Sequence, residues 1–174
     1  MLNYYNIMNS SQLNEEELNL FRDIHQQILP HREKRYKTFS IIEKDDIDID
    51  LKPIFNKSIE ILEKFNYINY NINKYEIEFH QRNSGFEKKP CEYFAWHEDD
   101  YEVRNMTVYT ILFYIRKDKT IKGGDLKYKI NKKKNIHIVN EKDILCFPGN
   151  IKHYPQPTYG FGCRDLIAVF IERI

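Results

Sequence analysis

The chain of 174 residues has almost no net charge, no long hydrophobic run and few cysteines. No stretch approaches the roughly 20 apolar residues that cross a bilayer, and the N-terminus lacks a basic region followed by an apolar run. The formal net charge of +1 implies no strongly charged partner. We therefore expect a soluble, unsecreted protein without a membrane association.

The cysteines are too few and too scattered for a disulfide framework or a zinc site. Cys91, Cys146 and Cys163 are odd in number and form no CxxC pair. This pattern predicts a reducing, cytoplasmic compartment. Cys146 lies within an apolar segment, so we expect it to be a small core residue.

The first part of the chain has helical periodicity. Asn14 is expected to cap a helix, with Glu17 completing a capping box, and Pro30 ends it. A second amphipathic helix is predicted over residues 51–65. The residues expected on its buried stripe are Phe55, Ile59, Leu62 and Phe65.

After Asn66 the period changes from that of a helix to that of a strand. Residues 75–82 alternate strictly between apolar and polar side chains. Other strands are predicted at 38–43, 94–99, 106–116, 124–130, 136–139, 143–147 and 165–173. Short strands in succession, with helices gathered at one end, favour an antiparallel barrel or sandwich backed by helices. We expect one domain over 1–174, in which 1–70 is mostly helical support and 75–174 is the sheet-rich core.

One short stretch carries the residue types of an iron site. On an extended strand His97 and Asp99 point to the same side, whereas Glu98 and Asp100 point to the other. A second imidazole from another strand, for which His153 is the candidate, would complete a face of two histidines and one carboxylate. Such a face holds non-haem Fe(II) and leaves positions open for other ligands.

An arginine follows the second histidine after a turn rich in proline and glycine. The turn predicts a hairpin-like return that makes His153 and Arg164 neighbours on antiparallel strands. A guanidinium offers a planar, permanently charged fork to a carboxylate, which predicts an acidic cosubstrate. His80 and His137 lie on other strands and are expected to be surface or packing histidines.

Taken together, these segments resemble the 2-oxoglutarate- and Fe(II)-dependent oxygenase superfamily, and most closely its prolyl-hydroxylase-like branch. The resemblance covers about residues 75–174 and implies a double-stranded β-helix, or jelly roll. The matching segments, in order, are YFAWHED at 93–99, GGDL at 123–126, FPGNIKH at 147–153 and GCR at 162–164.

The resemblance implies roles for individual residues. Its implied iron ligands are His97, Asp99 and His153. Its implied cosubstrate-binding residues are Arg164, Tyr114, Leu126 and Thr110. Arg164 would bind the distal carboxylate of 2-oxoglutarate, and Leu126 would form an apolar wall of the pocket. For Tyr114 an ordinary sheet aromatic is an equal alternative.

The chain departs from the family at one position. Many members carry serine or threonine two residues after the arginine, but here that position is Leu166. The departure leaves room for Tyr114 or Thr110 to take the role of the missing hydroxyl.

The implied reaction is hydroxylation by O2 coupled to decarboxylation of 2-oxoglutarate to succinate, with ascorbate in support. A protein or peptide is the expected substrate, with peptidyl proline as the first candidate. A nucleic-acid demethylase is a second reading, because the basic run 127–134 could contact phosphate. The near-neutral charge and the lack of an arginine between Arg164 and Arg173 count against it. A non-enzymatic jelly-roll binding module is a third reading. Arg164 counts against it, because a structural metal does not need a carboxylate-binding arginine beside it.

Overall fold

The computed structural model describes residues 8–29, 38–42, 49–84, 95–100 and 106–174. Four earlier predictions fall outside these ranges: Cys91, the helix stop at Pro30, the strand end at residue 43 and the strand start at residue 94. Within the described ranges, neither helix has the length and apolarity needed to cross a membrane.

Two helices and eleven strands make up the described structure. The helices are α1 (Glu15–Ile28) and α2 (Lys52–Lys64). The strands are β1 (Asn9–Gln12), β2 (Thr38–Ile42), β3 (Tyr70–Ser84), β4 (Val108–Lys117), β5 (Ile121–Gly123), β6 (Leu126–Ile130), β7 (Lys133–His137), β8 (Asp143–Pro148), β9 (His153–Pro155), β10 (Thr158–Gly160) and β11 (Gly162–Arg173).

The strands form one large sheet and two small ones. The large sheet has the order β1-β8-β4-β11-β3-β2, and each of its neighbouring pairs is antiparallel. A three-stranded sheet has the order β7-β6-β9, and β10 pairs with β5. The predicted fold class is confirmed: the protein is mainly β, with helices supporting a double-stranded β-helix.

The two faces of the large sheet pack against different parts of the protein. One face packs on the helices, where Ile111 and Phe113 of β4 join Leu18 and Phe21 of α1 in a continuous apolar core. The opposite face packs on the small-sheet side, where Leu112 of β4 and its face-mates contact a second apolar cluster. Alternation along each strand therefore separates a helix-facing core from an inner face that surrounds the site.

The helix predictions hold except for one buried face. Asn14 accepts from the Glu17 N–H and Glu17 accepts from the Asn14 N–H, both at 2.9 Å, so the capping box is confirmed. In α2 the predicted stripe is confirmed at Leu62, whereas Phe55, Ile59 and Phe65 are only partly buried against the core. The other buried residues of this helix are Ile54, Ser58 and Ile61. Phe55 is only partly buried because it packs on Tyr75 at 4.6 Å between ring centroids, beside this stripe.

The predicted strand 38–43 is present as β2 over its described residues, whereas two other strand predictions need correction. β1 was missed because its sequence NSSQ has no apolar alternation; it adds to an edge through backbone pairing with β8. The predicted strand 124–130 begins only at Leu126, because Gly123 and Gly124 have φ of 73° and 76°.

The contact between α1 and the large sheet predicts a measurable loss of stability. The rings of Phe21 and Phe113 are perpendicular, with centroids 5.1 Å apart, and both side chains are fully buried. We expect Phe113→Ala to lower the free energy of unfolding by about 3–5 kcal/mol in urea titrations, because it leaves a cavity. Leu20→Ala, on the same helix but 42% exposed, should change it by less than about 0.5 kcal/mol. Equal effects of the two variants would contradict this packing.

Candidate metal centre and cosubstrate cavity

The HxD segment is held by its backbone. His97 and His153 exchange two backbone hydrogen bonds of 3.0 and 2.9 Å, which form a single bridge rather than the predicted regular strand. The Asp99 N–H donates to the Gly149 carbonyl at 2.8 Å. A Cβ at Gly149 would collide with Asp100 and Val108, so only glycine lets the turn approach this closely.

These backbone contacts bring the three predicted iron ligands together. One ligand atom from each of His97, Asp99 and His153 lies within 4.8 Å of the other two. The distance from His97 Nε2 to Asp99 Oδ1 is 3.7 Å, and that from His153 Nε2 to Asp99 Oδ2 is 3.8 Å. Asp99 and His153 are buried, whereas His97 is partly exposed.

The imidazoles are already oriented as ligands. His97 Nδ1 lies 2.9 Å from the Ala95 carbonyl, and His153 Nδ1 lies 2.9 Å from the Ile151 carbonyl. Because a carbonyl can only accept, each Nδ1 must carry the proton. When the rings are neutral, Nε2 therefore carries no proton, and its electron pair is available to ligate a metal. In both rings this atom lies near the Asp99 carboxylate. This pattern, with the outer nitrogen fixed by a carbonyl, is typical of metal-ligating histidines.

The carboxylate of the triad has its own support. Thr110 donates from Oγ1 to Asp99 Oδ2 at 2.7 Å, and both groups are buried. Thr110 therefore lies against a ligand of the triad. Its expected contact with the cosubstrate stays a prediction.

A cavity of about 410 Å³ extends from the triad along the inner face of the large sheet. Neighbouring strands align the side chains of this face in rows, starting from the Thr110–Phe170 row, in which Phe170 lines the cavity and Thr110 contacts Asp99. The next rows are Glu78–Ala168–Leu112, then His80–Leu166–Tyr114, then Arg82–Arg164. Leu126 and Pro155 belong to the lining on the small-sheet side. The predicted residues Arg164, Tyr114 and Leu126 thus share one cavity with the triad.

Arg164 is 2% exposed and is oriented by a glycine turn. Its Nη1 donates to the Gly124 carbonyl. A Cβ at Gly124 would lie 2.9 Å from this Nη1, so a side chain here would displace the guanidinium.

The predicted pairing of His153 with Arg164 is wrong. The strand of His153, β9, pairs with β6, whereas β11 pairs with β3 and β4. The reason is that β10 intervenes and pairs with β5, which carries the chain from one sheet to the other. His153 and Arg164 therefore line the same cavity from different sheets.

Tyr114 is buried in the cavity wall. Burial raises the pKa of Tyr114 to about 12, while the charges of Arg164 and Arg82 oppose this rise. The hydroxyl is therefore protonated at neutral pH and can act as a hydrogen-bond donor. The Arg164 guanidinium carbon lies 5.9 Å from the centre of the tyrosine ring.

Asp100 fixes the segment without joining the triad, as the strand argument predicted. Its Oδ1 accepts from the Val108 N–H at 2.7 Å, and its Oδ2 lies 2.8 Å from Arg173 Nη2. Burial raises the pKa of this carboxyl, against the opposing effects of the Val108 N–H and Arg173. Sequence reasoning placed Asp100 on the side away from the triad but missed this supporting role, because its partners Val108 and Arg173 lie on other strands.

The third strand contributes a polar wall that sequence reasoning missed. Glu78, His80 and Arg82 all line the cavity, and His80 Nε2 lies 2.8 Å from Glu78 Oε2. His80 packs as predicted but also faces the cavity; His137 instead pairs with Asp143 at 3.0 Å. The alternation of residues 75–82 was a signal that these three side chains share a face.

The support of Asp99 by Thr110 predicts a change in metal affinity. Thr110→Val keeps the shape but removes the hydrogen bond, so we expect Mn(II) to bind about 10–100-fold more weakly. The measurement is a titration followed by the electron paramagnetic resonance signal of free Mn(II). Thr120→Val is the matched control, because Thr120 is exposed and its Oγ1 donates to the Phe161 carbonyl. Equal affinities of the two variants would contradict the role of Thr110.

Comparisons with known proteins bear on the fold. No protein-family model matches the chain, and no curated sequence matches it. Solved structures do match. A prolyl-4-hydroxylase from Pseudomonas putida aligns with a TM-score of 0.68 at 10% identity, covering 97% of this chain and 94% of that one.

Two other prolyl hydroxylases align over similar lengths. A viral collagen prolyl hydroxylase from Paramecium Bursaria Chlorella virus-1, solved with 2-oxoglutarate, has a TM-score of 0.63 at 13% identity and 96% coverage of both chains. An enzyme from Trichoplax adhaerens, solved with a hypoxia-inducible-factor peptide, has a TM-score of 0.66 at 14% identity, covering 97% of this chain and 84% of that one. The chain therefore has the fold of the prolyl hydroxylases, in agreement with the resemblance of its motifs.

Proposed function

We propose that the protein is an Fe(II)- and 2-oxoglutarate-dependent oxygenase that hydroxylates a side chain of a protein or peptide, with peptidyl proline as the first candidate. One observation carries the proposal. A triad of His97, Asp99 and His153 and a buried arginine, Arg164, line one cavity of about 410 Å³ in a fold shared with prolyl hydroxylases.

The donor set suits iron. Two imidazole nitrogens and one carboxylate oxygen are the facial set of non-haem Fe(II) oxygenases, which leaves other coordination positions open. Fe(II) and 2-oxoglutarate, when bound, supply the oxygen-activating redox chemistry. His97, Asp99 and His153 hold the ion, while Thr110 keeps the carboxylate in place.

The cavity suits a dicarboxylate that reaches from the triad to Arg164. Its far end offers a guanidinium and, at Tyr114, a protonated hydroxyl. Its walls include Leu112, Leu126 and Leu166, which exclude water and strengthen charge-assisted hydrogen bonds. A carboxylate held at one end orients the rest of the molecule toward the triad.

A peptide can approach from the side of His97. The side chain of His97 is 24% exposed, whereas those of Asp99 and His153 are each 5% exposed, so the triad opens in that direction. The Trichoplax enzyme was solved with a peptide and the viral enzyme is a collagen prolyl hydroxylase. These likenesses support a flexible, proline-containing segment as the substrate.

The direct test is succinate formation from 2-oxoglutarate. With Fe(II), O2 and ascorbate, the protein should produce succinate, and a proline-containing peptide that is a substrate should gain one oxygen in mass spectrometry. His97→Ala should abolish both, because two ligands do not retain the ion at working concentrations. Metal-loaded protein that produces no succinate with any peptide from a proteome-derived library would contradict the proposal.

Arg164 should determine cosubstrate affinity without determining metal affinity. Truncating one partner of a buried charge pair costs about 2–5 kcal/mol, so Arg164→Ala should weaken 2-oxoglutarate binding about 30-fold or more. Arg164→Lys should recover only part, since lysine has no planar fork. Arg116→Ala is the control, because Arg116 pairs with Asp118 on the surface at 2.8 Å. Collapsed Mn(II) binding with unchanged 2-oxoglutarate affinity would refute this role.

A further inference from the structure

A second arginine lies beside Arg164 in the cavity. Arg82 of β3 and Arg164 of β11 are directly paired across neighbouring antiparallel strands. Both side chains line the cavity, and they are 4% and 2% exposed. The proposed function assigns no role to Arg82.

Two buried guanidiniums on adjacent strands have a specific electrostatic consequence. Arginine does not lose its proton, so both side chains bring a permanent positive charge to the cavity wall. A carboxylate bound between them would have donors from two planar forks. The arginine row is therefore favourable for an anion.

Tyr114, in the row next to the two arginines, lines the same cavity. The charges of Arg164 and Arg82 each lower the pKa of Tyr114 against the larger effect of burial. The three side chains also line one end of the same cavity. An anion bound at this end would meet two guanidiniums and a hydroxyl donor.

The departure at position 166 leaves this part of the cavity wall without a hydrogen-bond donor. Leu166 faces the cavity between His80 and Tyr114, but it has no polar atom to offer a carboxylate. Arg164 also commits Nη1 to the Gly124 carbonyl. Arg82, one row from Leu166 on the adjacent strand, is placed to supply the missing hydrogen bonds.

We propose that Arg82 binds the distal carboxylate of the cosubstrate together with Arg164, in place of the hydroxyl that Leu166 lacks. This inference rests on the proposed function. It makes recognition of the carboxylate depend on two strands of the large sheet rather than on one.

The test measures binding without turnover. Protein loaded with Mn(II) in the absence of O2 is titrated calorimetrically with 2-oxoglutarate and with 2-oxopentanoate, which has the same chain length but no distal carboxylate. We expect Arg82→Met to weaken 2-oxoglutarate binding about 10-fold or more and to leave 2-oxopentanoate and Mn(II) affinities unchanged. Arg116→Met, on a half-buried arginine outside the cavity lining, should change none of the three affinities.

A double-mutant cycle with Arg164→Met separates shared from independent action. If both arginines hold one carboxylate, the double variant should lose less affinity than the product of the single losses. Arg82→Lys keeps the charge without the fork and should lose affinity only a few-fold. It also provides the measurement if Arg82→Met does not fold, as judged by circular dichroism.

The possible results distinguish this inference from the proposed function. Unchanged 2-oxoglutarate affinity in both Arg82 variants, with a loss in Arg164→Met, overturns the role of Arg82 alone. An equal loss for 2-oxoglutarate and 2-oxopentanoate also overturns it, because Arg82 would then be structural. If the unaltered protein binds Mn(II) but no 2-oxoglutarate, the proposed function fails.

Discussion

The site depends on one backbone bridge, in which His97 and His153 exchange two hydrogen bonds. The bridge joins segments that are distant in sequence and places both imidazoles on one side, with Asp99 between them. Side chains complete this arrangement: the carbonyls at Ala95 and Ile151 fix the rings, and Thr110 fixes the carboxylate. A site built in this way is organised before any ion arrives, which reduces the ordering cost of binding.

One face of the large sheet contributes mainly to stability, and the other face carries the side chains of the candidate site. Its helix-facing side carries the larger apolar core, in which β4 and β11 pack on α1 and α2. Its inner side carries polar groups whose burial costs free energy, including Arg164, Arg82 and His80. The apolar burial on one face offsets that cost on the other. Substitutions on the helix-facing side of a strand should therefore mainly lower stability. Substitutions on the inner side of the same strand should mainly weaken ligand binding.

Local periodicity made much of this structure predictable. The period of 3.6 with a capping box located α1, and the period of 2 placed His97 and Asp99 on one side. Local patterns do not show which strands pair, because the partners are distant in sequence. The pairing of His153 with Arg164 was therefore predicted wrongly. The polar wall of β3 was missed for a related reason. Both faces of this strand are buried, and alternation alone cannot tell which face lines a cavity.

The most direct measurement is an anaerobic titration of the Fe(II)-loaded protein with 2-oxoglutarate, followed by visible absorption. Direct coordination of 2-oxoglutarate to Fe(II) held by His97, Asp99 and His153 would give a metal-to-ligand charge-transfer band. We predict that the band appears in the unaltered protein, saturates at one equivalent and is absent in His153→Ala. Fe(II) bound at one equivalent without a band at saturating 2-oxoglutarate would contradict the account.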